Sequence, residues 1–128
     1  MRIKMQLNEL TLKEQLEGLK DSSFSSAELT QDYLKRIQDI DPAINSYITV
    51  TEELALKQAK EADERYKKNQ ALALDGIPIA HKDIFCTEGV LTTCGSKMLS
   101  NFKAPYSSTA VTKLFDDGVV MLGKTNMD

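Results

Sequence analysis

A single histidine and two cysteines leave this chain little with which to build a metal centre. Cys86 and Cys94 have seven residues between them rather than the two of a C-x-x-C pair, and no third cysteine exists. A structural metal site is therefore not expected, and both thiols read as reduced, part-buried small side chains. Long apolar runs are missing too: none approaches the ~20 residues needed to span a bilayer. The N-terminus, MRIKMQLNEL, lacks the long apolar core of a signal peptide. A cytoplasmic chain without membrane contact is expected. Positive charge is not in excess either. Sixteen Lys/Arg stand against nineteen Asp/Glu, giving a formal charge of −3. Such a surface is a poor platform for nonspecific nucleic-acid binding, so any nucleic acid would be held chiefly by another chain or segment.

What is present is ordinary for a globular protein, with 41% hydrophobic and 27% charged residues in 128. That length suits one domain, or a piece of a larger one. The first part reads as helix. Thr11-Leu12-Lys13-Glu14 is a capping box, followed by Leu12, Leu16 and Leu19 on one face. A second box, Ser25-Ser26-Ala27-Glu28, has Phe24 before it as a hydrophobic staple. Leu29, Tyr33, Ile37 and Ile40 then make an apolar stripe. Asp41-Pro42 is expected to stop that helix. Residues 45–50 are β-prone. Thr49 to Glu52 repeats the box pattern and opens a helix to about Lys68, with Ala55, Ala59, Ala62 and Tyr66 inward. Its charged outer face reads as solvated surface.

The stretch from 74 to 93 organises the remainder. Asp75-Gly76 is a turn dipeptide, and Ile77-Pro78-Ile79-Ala80 an apolar run that ends on His81-Lys82-Asp83. This pattern predicts a strand buried on both faces, in the style of a parallel sheet, with Pro78 near its start. Ser107-Ser108-Thr109 caps a further helix with Val111, Leu114 and Phe115 inward and Gly118 as terminator. Val119-Val120-Met121-Leu122 is a second buried strand, and residues 123–128 are expected to leave it. Strand, helix, strand argues a parallel α/β unit. Since parallel strands are normally covered on both faces, the chain reads as the N-terminal piece of a larger α/β protein.

Three features compete for chemistry. Residues 118–125 satisfy the phosphate-loop pattern G-x-x-x-x-G-K-[ST], but the four intervening residues, Val-Val-Met-Leu, favour a strand over a loop. His81 lacks an assignable nucleophile or orienting partner, and alternation places it opposite Lys82, so it reads as a packed structural histidine. Lys82 falls at the carboxyl end of its strand, where ligands gather in open α/β sheets. Buried there, a lysine would lose its charge more easily and could serve as general base; the rival reading is an ion pair with Asp83 or Glu88.

Asp75-Gly76-Ile77-Pro78-Ile79-Ala80-His81-Lys82-Asp83, then Thr92-Thr93-Cys94-Gly95-Ser96, then Gly123-Lys124-Thr125-Asn126-Met127-Asp128 together resemble the amidase signature family. Met127-Asp128 after Lys-Thr-Asn is similar to the A-type amidase branch of the glutamyl-tRNA(Gln)/aspartyl-tRNA(Asn) amidotransferases. The resemblance implies an α/β fold in which N-terminal helices lead into the first strands of a mixed sheet sandwiched by helices. Residues 1–128 would be the N-terminal part of one amidase domain, with 1–70 mainly helical and 71–128 carrying the first strands and a crossover helix. It implies a Ser–cis-Ser–Lys triad in which Lys82 is the general base, both serines lying after Asp128 together with the glutamine-binding residues. The implied reaction is hydrolysis of glutamine's side-chain amide through an acyl-enzyme. Ammonia would pass to the B subunit, where ATP and magnesium activate a misacylated tRNA, and the C subunit would complete a heterotrimer. No cofactor is expected on this chain. The alternatives are a free-standing amidase acting on another small amide, a partner-binding module, and a phosphate-loop ATPase.

Overall fold

A computed structural model describes residues 6–127. A short 3-10 turn, Leu7–Glu9, leads into α1 (Leu12–Lys20), α2 (Ser26–Ile44), β1 (Tyr47–Val50) and α3 (Glu52–Lys67). These are followed by β2 (Pro78–Lys82), a second 3-10 turn at Lys97–Leu99, α4 (Thr109–Asp116) and β3 (Val120–Thr125). Residues 1–5 and Asp128, the last residue of the third motif, lie outside the described residues.

The helix starts follow their capping chemistry. At α1 the Thr11 hydroxyl accepts from the Glu14 N–H, and the Glu14 carboxylate accepts from the Thr11 N–H at 2.7 Å. Ser25 and Glu28 repeat the exchange at α2. A carboxylate from α3 reinforces that end: Asp63 accepts from the N–H groups of Ser26 and Ala27 at 2.7 and 3.1 Å. Negative charge at a helix N-terminus opposes the positive end of its dipole. The third box does not form. Its expected cap, Thr49, lies within β1; the residue before α3 is Thr51, whose hydroxyl donates to the Met121 carbonyl and ties the helix start to the sheet. Pro42 does not stop α2 but lies inside its last turn. Lacking an N–H, it forfeits one helical bond. The helix runs one turn further and ends at Asn45, whose left-handed backbone (φ 52°) still lets its N–H reach the Asp41 carbonyl at 2.7 Å.

The sheet is three-stranded and mixed, in the order β1-β3-β2. β1 runs antiparallel to β3, and β2 runs parallel to it. The strand within the first 70 residues thus belongs to the same sheet as those that follow. β3 is longer than expected, because Gly123, Lys124 and Thr125 continue it rather than leave it. As the central strand it is buried from Val120 through Lys124. β2 is an outer strand and is only partly covered in this chain, with Ala80 and Lys82 exposed. The expectation of burial on both faces therefore holds for β3 and not for β2, since only β3 has strands on both sides. α3 lays its buried face of Ala55, Ala59 and Ala62 on β3, with Val120 in the same cluster. Leu19, Leu29 and Ile77 form a second cluster, joined by Phe24, Tyr33, Tyr66 and Ile79.

A buried clamp fixes the entrance to β2. Asp75 is fully buried and receives the Arg65 guanidinium through two bonds of 2.7 and 2.6 Å, while its carbonyl accepts from the Tyr66 hydroxyl. Gly118 (φ 89°) passes against it so closely that a Cβ would sit 2.5 Å from Asp75 Oδ1.

Gly123 is the tightest point of the sheet. A Cβ there would lie 2.3 Å from the Thr49 carbonyl oxygen, a main-chain atom that moves only if β1 moves. Gly123→Ala is expected to destabilise the chain by about 1–3 kcal/mol, the usual cost of overpacking. A drop in the urea midpoint at unchanged slope would show it.

Candidate active site

The parallel pairing of β2 with β3 sets His81 beside Lys124 and Lys82 beside Thr125. Lys82 is the last residue of β2, at the carboxyl end of two parallel strands, with its side chain exposed. Burial, the physical reason for expecting a working base at Lys82, belongs instead to Lys124, which is fully buried in the central strand. Desolvation lowers the Lys124 pKa, and the Asp83 carboxylate opposes that shift.

Asp83 is also fully buried, and its Oδ1 lies 3.5 Å from the Lys124 ammonium. Its Oδ2 accepts from both the N–H and the hydroxyl of Thr93, at 3.0 and 2.5 Å. Lys124 donates to the Phe85 carbonyl at 2.5 Å and to the Thr92 hydroxyl at 3.3 Å. The carboxylate that was a candidate partner for Lys82 thus engages Lys124 and Thr93. Glu88, the other candidate, is exposed in the following turn, where its N–H meets the Ser107 hydroxyl. The same contacts dispose of a phosphate loop at 118–125. Its last six residues are a strand whose lysine already donates to a carbonyl and a hydroxyl beside a carboxylate.

The loop at 91–96 lies against this site. The Cys94 N–H donates to the Asp83 carbonyl at 3.2 Å, and the Gly95 N–H donates to the Thr93 hydroxyl. Cys94 is exposed and Cys86 half-buried, both as free thiols. Among the described residues, no group of three or more His, Cys, Asp or Glu could hold a metal ion. No described helix is long and apolar enough to cross a membrane.

His81 faces away from Lys82, as alternation requires, and is buried at 5% exposure with its ring 5.7 Å from that of Phe115. Neither ring nitrogen has a hydrogen-bond partner. Burial, helped by the nearby Lys124 charge, depresses its pKa to about 4. The unfolded chain, with an ordinary histidine near 6.5, therefore binds more protons than the folded one between these values. Stability is fully present above about pH 6.5 and is lost as pH falls towards 4, by on the order of 3 kcal/mol. Urea unfolding of His81→Leu against the parent, compared at pH 7 and pH 4.5, is expected to show most of that slope removed.

Sequence reasoning offered Asp83 as a partner for Lys82, and it gave no role to Lys124, Thr92 or Thr93 around that carboxylate. The available signal was the uninterrupted apolar run before Lys124: a lysine continuing a fully buried strand must find a buried partner.

The fold and site define an α/β protein whose lysine stands at the carboxyl ends of parallel strands, with a buried acid–lysine pair adjoining it. A family model described as Amidase matches residues 28–128. The A subunit of glutamyl-tRNA(Gln) amidotransferase from Pseudomonas putida (strain W619) is 62% identical over 122 residues, 95% of this chain and 25% of that protein. The protein of the same name from Hahella chejuensis is 58% identical over 118 residues, 92% of this chain and 24% of its own length. Native peptide amidase from Stenotrophomonas maltophilia superposes with a TM-score of 0.87 at 32% identity, over 93% of this chain and 25% of that one. The chain belongs to the amidase family, and it spans about a quarter of the length of the curated relatives it matches.

Proposed function

We propose that this chain is the N-terminal part of the amidase subunit of a tRNA-dependent amidotransferase. The full-length subunit hydrolyses the side-chain amide of glutamine and supplies ammonia for converting Glu-tRNA(Gln) to Gln-tRNA(Gln), Asp-tRNA(Asn) to Asn-tRNA(Asn), or both. The observation that carries this reading is the 58–62% identity to proteins of that one name, against 31–32% for the peptide amidases of the same fold. Lys82 is the general base. It takes the proton of a nucleophilic serine through a bridging serine, both supplied by chain beyond residue 128. The serine oxygen bonds to the amide carbon, the C–N bond breaks, and ammonia leaves with a proton. Water then releases glutamate from the acyl-enzyme by the same base. The companions are the B and C subunits in a cytoplasmic complex, with ATP, magnesium and the misacylated tRNA held by the B subunit.

The fold similarity to peptide amidases supports a second reading, a free-standing amidase of another small amide. The experiment that separates the two is ammonia release by the full-length protein with its companion subunits, offered glutamine or a C-terminally amidated peptide. Glutamine turnover is expected. Turnover of the peptide amide alone would install the second reading. The 128-residue chain by itself, holding the lysine without either serine, is expected to release no ammonia from glutamine.

A further inference from the structure

The acyl-transfer scheme gives the buried acid–lysine pair no task, yet Asp83 follows Lys82 in the chain and Lys124 precedes Thr125, the strand partner of Lys82. The strand ladder ends at Lys82, paired with Thr125, and one more main-chain bond follows, from the Asp83 N–H to the Thr125 carbonyl at 3.0 Å. Beyond that point the chain turns out of the sheet: the Lys82 carbonyl accepts from the Phe85 N–H at 3.0 Å. The far side of this turn is held by Lys124, whose ammonium meets the Phe85 carbonyl. The near side is held by Asp83, whose carboxylate gathers Thr93 and whose carbonyl gathers Cys94. Both anchoring side chains are fully buried.

We propose that Asp83 and Lys124 are positioning residues for Lys82: their buried pair locks the turn at 82–85 and the loop at 92–95, and so aims the Lys82 side chain. The inference rests on the proposed role of Lys82 as general base. A lysine is long, so a backbone tilt of about 10° at its Cα moves its nitrogen by roughly 1 Å, and misplacement of that size in an active site costs about 10²-fold. Lys82 is the last paired residue of the ladder, with one main-chain bond beyond it, so pairing alone holds it only from the side of the sheet. The buried pair adds the restraint on the chain that leaves.

The test is made on the full-length subunit in its complex, with Thr93→Val and Asp83→Asn. Thr93→Val removes one donor to Asp83 while keeping the N–H, so it reports even if Asp83→Asn fails to fold. Two quantities are read at a temperature where circular dichroism shows the native fold. These are kcat and KM for glutamine, and the rate at which an amine-reactive ester acylates Lys82, mapped by peptide mass spectrometry. The expected result is a kcat lower by about tenfold to a hundredfold with KM within about twofold, together with a severalfold change in Lys82 acylation. Folded variants with parental kcat and parental acylation would overturn the proposal. A fall in kcat with unaltered Lys82 acylation would also overturn it, because the pair would then act elsewhere. Lys82→Ala reads the functional assignment separately: full turnover in that variant removes the assignment, while acylation of Lys82 in the other variants still decides the positioning.

Discussion

Lys82→Ala in the full-length subunit is expected to lower glutamine hydrolysis by about 10²–10⁴-fold, the range a positioned general base supplies. In free energy that is about 2.7–5.4 kcal/mol of transition-state stabilisation, at 1.36 kcal/mol per tenfold. The loss should fall equally on kcat and kcat/KM, because proton transfer occurs in the transition state and not in the bound ground state. Lys82→Arg should be nearly as damaging, since a guanidinium does not give up its proton at working pH.

The structure makes this more discriminating than an ordinary loss-of-activity experiment. Lys82 is exposed at the end of β2. That exposure belongs to the 128-residue chain, so the control is urea unfolding of full-length Lys82→Ala beside the full-length parent. Activity lost with stability kept is the signature of a chemical role. Retained turnover would move the base elsewhere and remove the functional assignment with it. The buried alternative in this segment, Lys124, is a poor replacement, because its ammonium is already engaged by a carbonyl, a hydroxyl and a carboxylate.

Much of this arrangement was legible in the residues themselves. Capping boxes gave two helix starts because the reciprocal bonds are local, needing only Thr11 with Glu14 and Ser25 with Glu28. The small face of α3 was visible in its alanine spacing. The third box failed because its expected cap, Thr49, is taken into β1 and pairs with Lys124, so the helix starts two residues later, after Thr51. Pro42 misled because a proline in a last turn removes only one bond, and Asp41 and Asn45 close the helix past it. The extent of β3 was hidden by Gly123-Lys124, which look like a turn and a solvated charge. What makes them strand is the backbone of β1 pressed against Gly123 and the buried carboxylate of Asp83 beside Lys124. Asp83 meets Thr93 ten residues away and Lys124 forty-one away, and no local pattern encodes such a meeting. Lys82 was legible as a position at a strand end, and its exposure was not, because apolar composition does not distinguish a central strand from an outer one.

Lys124→Met is expected to be strongly destabilising, at about 3–5 kcal/mol, the cost of leaving a buried charge without its partner. Methionine keeps the length and the apolar stem of lysine, so packing changes little and the loss reads the charge. Asp83 would then face the interior with only the two Thr93 donors, and the Phe85 carbonyl would lose its donor as well. Asp83→Asn should cost less. The amide oxygen can still accept from Thr93, and Lys124, its pKa already lowered by burial and now without the opposing carboxylate, can shed its proton instead of staying buried and charged. The double variant is the deciding measurement. With both charges gone, the sum of the two single losses should exceed the loss in the double by about 1–3 kcal/mol, the coupling expected of groups in direct contact. Urea unfolding of the four proteins gives this cycle directly. Additive losses would mean that the two side chains stabilise the chain through separate neighbours, Asp83 through Thr93 and Lys124 through Phe85, and that the contact between them contributes nothing of its own.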